Sequence, residues 1–323
     1  MKASRPRVSI GLPVYNGERY LEVALQSLLT QTFQDFEIII SDNASTDRTA
    51  EICGRYAVQD RRIRYYRNAE NLGAAPNFNR TVGLAAGDYF QWACHDDVWL
   101  PTCLECCVAV LDRDPSVVLC HTLTRIIDDK GAAIKDFKHH PVKPTAGPAP
   151  QADARASEER FNRMIYEVGC YPVFGLIRLQ ALRQTRCIES YAHGDGVLLA
   201  RLALLGRFHE IPEYLFLNRD HSNRSARVAQ PQYHTYAAWF DSKKRGQISL
   251  PYWRMWLGYL QAVWETPLSL RSRLGCYFHL LNWMRWNRKK LWKDLKRAAR
   301  YRIVPGPQPV IPQSRPAPEL VRR

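Results

Sequence analysis

The 323-residue sequence lacks a recognisable secretion leader, a disulfide framework and a complete zinc motif. Its first residues run directly into an apolar strand pattern, so we expect no secretion signal. The nine cysteines are odd in number and scattered, and Cys103, Cys106 and Cys107 have no second ligand pair. We therefore expect packed, reduced thiols in a reducing compartment.

Long apolar runs are missing as well, although hydrophobic residues make up 46% of the chain. Between residues 251 and 301 the longest uncharged runs are 255–264 and 274–284, which hold ten and eleven residues. A helix that crosses a bilayer needs about 18 or more apolar residues, so we expect no span here. The composition is that of a globular protein with a large core.

Acidic residues are scarce at one end of the chain only. Residues 1–242 hold 28 of the 46 Lys and Arg residues and 28 of the 31 Asp and Glu residues. Residues 243–323 hold the other 18 basic and three acidic residues, which is the whole net charge of +15. We predict a neutral globular body over 1–242, a basic amphipathic helical extension over 243–304 and a disordered Pro-rich tail over 305–323.

Strands and helices alternate along the first hundred residues. Apolar runs predict strands at 8–13, 36–40, 63–66 and 89–93, and the segments between them have helical periodicity. Short connections between alternating elements predict an α/β fold with a mainly parallel, Rossmann-like sheet flanked by helices. We also predict strands near 117–121, 173–178 and 214–217, and a long loop with four prolines over 128–157.

Two adjacent carboxylates, Asp96 and Asp97, follow the fourth predicted strand directly. Unpaired acids at the end of a core strand are costly unless something cationic lies beside them. A divalent metal that carries a diphosphate would meet that need, and strand ends are where open α/β sheets hold ligands. The alternative, a capped strand–helix turn, leaves two like charges side by side without explanation.

Polar residues also follow the first and second predicted strands, at Tyr15 and Asp42. If these strands are parallel neighbours, both residues face the same crevice. The Asp42 carboxylate can accept the N3–H of uracil or thymine, a proton that cytosine lacks, and Tyr15 can offer a ring face to the base. The alternative interpretation makes Asp42 a helix cap and Tyr15 a core residue.

Four motifs in the same order and spacing make the chain resemble the family 2 glycosyltransferases over about residues 7–225. They are Pro13-Val14-Tyr15-Asn16, Ser41-Asp42-Asn43-Ala44-Ser45-Thr46-Asp47, Asn71-Leu72-Gly73 and His95-Asp96-Asp97-Val98-Trp99. The resemblance implies a GT-A fold, a nucleotide-sugar donor, Mg²⁺ or Mn²⁺ and inversion at the anomeric carbon. Two departures stand out, since Asn43-Ala44 replaces the usual Asp-Gly and Cys94 replaces the first acid of Asp-x-Asp-Asp.

The resemblance also implies roles for individual residues around the donor. Asp97 is the first expected metal ligand, and Asp96 is expected nearer the ribose or sugar as a second ligand. The residues expected at the nucleotide are Pro13, Tyr15, Asn16, Asp42 and Asp96.

On the acceptor side, the resemblance implies that Asp195 removes the proton of the attacking hydroxyl. Asp195 lies between two glycines just before an apolar helix, which leaves room for a sugar, and a plain N-cap is the alternative. Arg219 or His221 is expected to stabilise the leaving diphosphate. The alternative is that this segment only makes a surface ion pair. Gly175 is expected to let the acceptor approach closely.

The basic extension leaves two uses open. Its six tryptophans and its lysines and arginines fit helices that lie on an anionic membrane surface. They fit equally well a face that packs on the catalytic body or on a second copy. No nucleic-acid recognition module accompanies them, so we do not expect nucleic acid as a partner.

The sequence therefore predicts an inverting glycosyltransferase at the cytoplasmic face of a membrane. It would move a sugar from a UDP- or dTDP-linked donor to a glycan or lipid-linked acceptor in cell-surface polysaccharide synthesis. One alternative is a sugar-phosphate nucleotidyltransferase, although such enzymes generally carry a Gly-rich loop where Pro13-Val14-Tyr15-Asn16 stands. The other alternative is a non-catalytic adaptor on a membrane or nucleic acid that keeps the fold.

Overall fold

A nine-stranded sheet lies at the centre of the computed structural model. The structure describes residues 5–137, 156–166, 169–222, 224, 233–244, 247 and 250–303. The predicted Pro-rich tail over 305–323 lies outside the described residues, as does most of the predicted loop over 128–157.

The strands and helices alternate through most of the described chain. The strands are β1 (Val8–Val14), β2 (Phe36–Asp42), β3 (Ile63–Arg67), β4 (Tyr89–Trp92), β5 (Val98–Trp99), β6 (Val117–Ile127), β7 (Ala133–Phe137), β8 (Leu176–Arg178) and β9 (Arg207–Arg219). The helices are α1 (Leu21–Leu29), α2 (Thr49–Gln59), α3 (Ala74–Leu84), α4 (Cys103–Arg113), α5 (Ser157–Met164), α6 (Leu179–Arg183), α7 (Gly194–Leu205), α8 (Tyr233–Phe240), α9 (Pro251–Glu265) and α10 (Leu270–Ile303). Two short 3₁₀ helices cover Tyr171–Phe174 and Ser242–Lys244.

The strand order is β3-β2-β1-β4-β8-β6-β9-β5, and β7 pairs with β6. The run from β3 to β4 is parallel, as is β6 with β9, while β8, β5 and β7 pair antiparallel with their neighbours. The predicted α/β fold with a mostly parallel sheet and flanking helices is therefore confirmed. Because β1, β2 and β4 are parallel neighbours, their carboxyl ends share one edge, and the polar residues that follow them meet there.

The predicted loop after β6 begins as a strand instead. β7 turns back on β6 in a hairpin, and the Asp128 carboxylate accepts the backbone N–H groups of Lys130 and Ala132 at 2.9 and 2.8 Å. This aspartate turn reverses the direction of the chain between β6 and β7. In the sequence, the prolines that follow favoured a loop and concealed this turn signal.

The C-terminal helices pack on the globular body. A shared core joins α9 and α10 to α5 and α7, and it contains Met255, Tyr259, Ala262, Val263, Cys276, Leu280, Trp283 and Leu291. The Trp283 indole N–H donates to the Ile165 carbonyl at 3.1 Å, which fastens α10 to the body. Among the described helices, none combines the length and the apolar character that a bilayer crossing needs.

The strand β1 is buried along its whole length, and Gly11 lies at its closest approach to α3. A Cβ at Gly11 would lie 2.3 Å from Thr81 Oγ1 and 2.6 Å from Phe90 Cζ. Such distances are far below van der Waals contact, so the packing of α3 on β1 requires glycine at this position.

We predict that Gly11→Ala lowers the free energy of unfolding by about 1–3 kcal/mol, since α3 must shift to admit the methyl group. The matched control is Gly54→Ala in α2, where the new Cβ meets no atom within 4 Å. That change should stabilise the protein by about 0.5–1 kcal/mol through helix propensity. Urea unfolding of both variants checks the pair, and equal effects would contradict the packing argument.

Candidate functional site

Asp97 lies between β4 and β5 at the carboxyl edge of the sheet and is almost fully buried. Because β5 pairs antiparallel with β9, the end of β9 lies beside it. Asn218 Nδ2 donates to both carboxylate oxygens, at 3.0 and 3.1 Å, and the Arg219 backbone N–H donates at 2.8 Å. Asp97 is thus held from a strand more than a hundred residues away in the sequence.

Asp96 faces a different partner. Its Oδ2 lies 2.9 Å from His221 Nε2, and the His221 ring packs on Tyr20 with 5.0 Å between centroids. Burial opposes ionisation of Asp96, but the interactions with His95 and His221 outweigh it and lower the pKa of this carboxyl. Burial and the charge of Asp96 raise the pKa of Asp97 well above its usual value. Two full negative charges are therefore favourable here only with a cation beside them.

The residues around the acid pair fit a divalent cation. Ligand atoms of Cys94, Asp96 and Asp97 lie within 4.8 Å of one another. Burial raises the pKa of the Cys94 thiol well above its usual value, so the sulfur stays protonated and the oxygens are the better ligands for a hard cation. Asn218 Oδ1 and His221 Nδ1 are buried beside the pair without a hydrogen-bond partner among the described residues. This donor set suits Mg²⁺ or Mn²⁺.

Arg219 holds the acid loop in place. Its Nε donates to the Asp96 carbonyl at 2.8 Å and its Nη1 to the Asp128 carbonyl at 3.0 Å, and its guanidinium lies 4.8 Å from the centre of the Tyr20 ring. The side chain is nearly buried. The role predicted for Arg219 at a diphosphate stays a prediction, and these contacts favour a positioning role.

A second arginine, Arg224, was missed by the sequence analysis. It donates to the Tyr171 hydroxyl at 3.3 Å, and its charge acts on both Asp97 and Cys94. Although burial lowers the pKa of Arg224, the hydrogen bond to Tyr171 and the charge of Asp97 raise it above the usual value. Arg224 is therefore a permanent cation beside the acid pair. Arg224 lies only three residues after His221 in the sequence, but no motif there distinguished it from the other arginines.

Asp42 is fully buried at the end of β2. Its Oδ1 accepts the Ser45 N–H at 2.9 Å, and its Oδ2 accepts the Tyr65 hydroxyl at 2.9 Å and lies 3.4 Å from Arg67 Nε. Asp47, not Asp42, accepts an N–H at the start of α2, so the helix-cap alternative for Asp42 was wrong.

The Tyr15 ring is accessible at the same edge of the sheet. Its side chain is 44% exposed, so the alternative that made Tyr15 a core residue was wrong as well. Pro13 pairs with Ser41 inside the sheet and sets the position from which the Tyr15 loop leaves β1. An exposed ring beside buried polar groups is a surface on which a base can stack.

The loops after β1 and β2 are fastened to each other. Asn16 has a left-handed backbone with φ of 51°, its N–H donates to Ser45 Oγ at 2.9 Å, and its Oδ1 accepts the Thr46 N–H at 2.8 Å. Ala44 has φ of 60°, a conformation that favours glycine and explains why similar motifs carry glycine there. The two loops therefore move as one unit.

The third motif joins the same network through Asn43. Its Oδ1 accepts the Leu72 N–H at 2.9 Å and its Nδ2 donates to Asn71 Oδ1 at 2.8 Å. Gly73 follows with φ of 90°, where a side chain would be strained and would meet the backbone of Asp241. The amide of Asn43, which the sequence analysis noted only as a departure, thus fixes the loop that precedes α3.

Asp195 lies in the first turn of α7, after His193 in a left-handed conformation with φ of 67°. Its Oδ1 accepts the Gly196 N–H at 2.9 Å, but the N-cap position belongs to His193, so the alternative that made Asp195 a plain N-cap was wrong. A Cβ at Gly196 would lie 3.4 Å from Cys170 Sγ. Tyr171, which follows Cys170, accepts a hydrogen bond from Arg224. Residues 170–171 therefore connect the Asp195 side to the acid pair.

Gly175 is required by packing. A Cβ there would lie 2.5 Å from the Cys120 carbonyl oxygen and 2.9 Å from the His121 Cβ, because β8 and β6 approach closely. The role predicted for Gly175 at the acceptor stays a prediction.

Known proteins resemble this chain in sequence and in fold. The model of the family "Glycosyl transferase family 2" matches residues 9–185. An uncharacterized glycosyltransferase of Methanocaldococcus jannaschii is 33% identical over 141 residues, which is 43% of this chain and 49% of the relative. The chain therefore spans about half the length of that relative.

Two solved structures share the fold. S. aureus TarS, in complex with UDP-GlcNAc, superposes with a TM-score of 0.59 at 17% identity over 86% of this chain and 72% of TarS. The mannosyltransferase PcManGT of Pyrobaculum calidifontis, in complex with GDP-Man and Mn²⁺, gives a TM-score of 0.52 at 15% identity over 94% and 76%.

We predict that Tyr65→Phe lowers the free energy of unfolding by about 1–2 kcal/mol, because the buried Asp42 carboxylate loses a donor. The matched control is Tyr66→Phe on the next residue, whose hydroxyl accepts from the partly exposed Arg64 instead. That variant should change stability by less than about 0.5 kcal/mol. Thermal unfolding of the two variants decides, and an equal loss in both would contradict a special role for the Asp42 contact.

Proposed function

The chain belongs to glycosyl transferase family 2, and we propose that it moves a sugar, with inversion, from a UDP- or dTDP-linked donor to a glycan or lipid-linked acceptor. The observation that carries the proposal is the acid pair Asp96–Asp97, of which Asp97 is buried and Asp96 partly buried, at the edge where β1, β2 and β4 end. The nucleotide-sugar complexes of TarS and PcManGT, which share the fold, support a donor of this class.

In this proposal Asp97 and Asp96 hold Mg²⁺ or Mn²⁺, which neutralises the charge that grows on the departing diphosphate. Mn²⁺ in the PcManGT complex supports such a cation. Asn218 and the Arg219 backbone orient Asp97 before any ligand arrives, and His221 orients Asp96. Preorganised groups of this kind need no rearrangement during the reaction.

Arg224 adds a positive charge beside the acids that does not depend on a metal. In the folded protein its charge lowers the pKa of both Asp97 and Cys94, and its side chain donates to the Tyr171 hydroxyl. We assign it to the diphosphate, where a fixed cation stabilises the leaving group. His221 is the next candidate, because it lies against Asp96.

The proposed base site consists of Tyr15, Asn16 and Asp42. The exposed Tyr15 ring takes the face of the base, and Asn16 holds the loop beneath it. Asp42 accepts the N3–H of uracil or thymine, which requires the exposed Arg67 side chain to move away from the carboxylate that it covers. Pro13 sets the end of β1 in this arrangement.

The proposed transfer is a single displacement. Asp195 takes the proton of the acceptor hydroxyl, the oxygen forms a bond to the anomeric carbon, and the bond from that carbon to the diphosphate oxygen breaks. The nucleoside diphosphate leaves with the electron pair. The hydrogen bond from the Gly196 N–H keeps the Asp195 carboxylate turned toward the start of α7.

The proposed setting is the cytoplasmic face of a membrane, in the synthesis of a cell-surface polysaccharide. All nine cysteines lie in the described residues and each is a free thiol, which supports a reducing compartment. The family match supports a glycosyltransferase over a sugar-phosphate nucleotidyltransferase or an adaptor.

We predict that one or more UDP- or dTDP-sugars in a nucleotide-sugar panel release nucleoside diphosphate, and that a chelator abolishes this release. Asp97→Asn should lower metal-stimulated release by roughly 10²–10³-fold, since the cation loses its oriented ligand. The control is Asp88→Asn, an exposed acid at the opposite end of β4, which should keep full activity. Unchanged release in the Asp97 variant would remove this residue from the mechanism.

Asp195→Asn should lower the turnover number by roughly 10²–10⁴-fold while the affinity for UDP stays the same, because the amide cannot take a proton. Glu105→Gln is the matched control, as Glu105 also lies in the first turn of a helix and is exposed. Steady-state kinetics and titration calorimetry with UDP separate the two effects. Full turnover in the Asp195 variant would remove this residue from the proton transfer.

A further inference from the structure

The helix α10 has two opposite faces, and only one of them packs on the body. Five large apolar side chains on the other face are exposed by 39–62%; we call these residues, Leu274, Phe278, Leu281, Trp292 and Leu295, the outer stripe. The side chains that point into the shared core, among them Cys276, Leu280 and Trp283, lie about half a helical turn away from it. The outer stripe is thus a second apolar face without a covering element among the described residues.

The surroundings of the outer stripe are strongly basic. Residues 270–303 contain eleven Lys and Arg residues and a single acid, Asp294. Asp294 is buried and accepts the Tyr252 N–H at 2.8 Å, so it offers no negative charge to the surface. The exposed basic residues beside or between the members of the outer stripe are Arg271, Arg285, Arg288, Lys289, Lys293 and Lys296.

A second copy of the chain is a poor occupant for this face. The outer stripe has the 4–3 spacing of a coiled-coil seam, but Arg285 and Arg288 occupy the two seam positions between Leu281 and Trp292. Pairing of two α10 helices in either direction would place these arginines against each other at the centre of the contact. Like charges in a desolvated seam are strongly unfavourable.

We propose that the outer stripe docks on an anionic membrane surface. Phe278 and Leu281 would enter the boundary between headgroups and acyl chains, and the flanking lysines and arginines would meet lipid phosphates. Trp264 on α9, which is 71% exposed, is the kind of aromatic residue that favours this depth. The charge favours anionic lipid as the occupant, because a purely apolar partner would not require eleven basic residues.

This docking surface rests on the proposed function and deepens it. α9 packs on both α10 and α7, and its Tyr259 hydroxyl lies beside Gly196, the residue after Asp195, where an added Cβ would be 3.9 Å away. A membrane that holds α10 would therefore hold the acceptor side of the site at a fixed height above the lipid. That position suits a lipid-linked acceptor.

The experiment is flotation of the full chain with vesicles of 70% phosphatidylcholine and 30% phosphatidylglycerol, compared with pure phosphatidylcholine. We expect binding to the anionic vesicles that weakens in 0.5 M NaCl. The triple variant Leu274→Ser, Phe278→Ser, Leu281→Ser should lower partitioning by at least about tenfold. Each of Arg285→Glu and Lys289→Glu should lower it by at least about fivefold.

Matched controls test exposure and charge elsewhere on the surface. Val58→Ser replaces an apolar residue that is 90% exposed on α2, and Arg61→Glu reverses an exposed charge before β3; both should float like the unmodified protein. Thermal unfolding of every variant checks the fold. Substitutions on an outward face should leave the fold intact. Asp97→Asn should also float normally, so membrane binding and turnover can fail separately.

Three outcomes would overturn the proposal. One is equal binding to neutral and anionic vesicles. Another is undiminished flotation of the folded triple variant. The third is the absence of vesicle binding together with a dimer, measured by light scattering, that the triple variant converts to monomer; this result would assign the outer stripe to a second copy.

Discussion

Two neighbouring carboxylates at the end of β4, one buried and one partly buried, are the constraint on which the rest of the site depends. Asp96 and Asp97 cannot both carry charge in that position without donors and cations around them. The long strand β9 supplies two of these groups through Asn218 and the Arg219 backbone, and the segment that follows supplies His221 and Arg224. The antiparallel pairing of β5 with β9 thus serves the chemistry as much as the fold, because it brings these donors to the acids.

The same principle organises the nucleotide side of the sheet edge. Asp42 is buried with three hydrogen-bonding or charged partners. The side-chain oxygens of Asn16 and Asn43 accept backbone N–H groups of the neighbouring loops. Each loop after a parallel strand is therefore fastened to its neighbour by side-chain amides and hydroxyls. A donor would meet an edge that is already ordered, which lowers the entropic cost of binding.

The basic extension resolves into two faces with different tasks. Its inward face completes a core with α5 and α7 and carries Tyr259 to the side of Asp195. Its outward face combines an apolar stripe with nearly all the excess positive charge of the helix. Residues 270–303 carry eleven basic residues and one acid, a net +10 of the total +15, on a helix whose other face packs toward Asp195, and a partner bound there would orient the protein.

Local patterns in the sequence determined the strands β1 to β4, the helices between them and the presence of Asp42, Asp96 and Asp97 at one edge, because the carboxyl ends of parallel neighbouring strands coincide. Such patterns report only on residues that are close along the chain. The hairpin of β7, the pairing of β5 with β9, the contacts of Asn218 with Asp97 and of Arg224 with Tyr171, and the Tyr65 contact with Asp42 depend on strand register and on segments far apart in sequence. Which face of α10 is buried was likewise decided only by tertiary packing, since both faces carry large apolar residues and only one meets a complementary surface on α5.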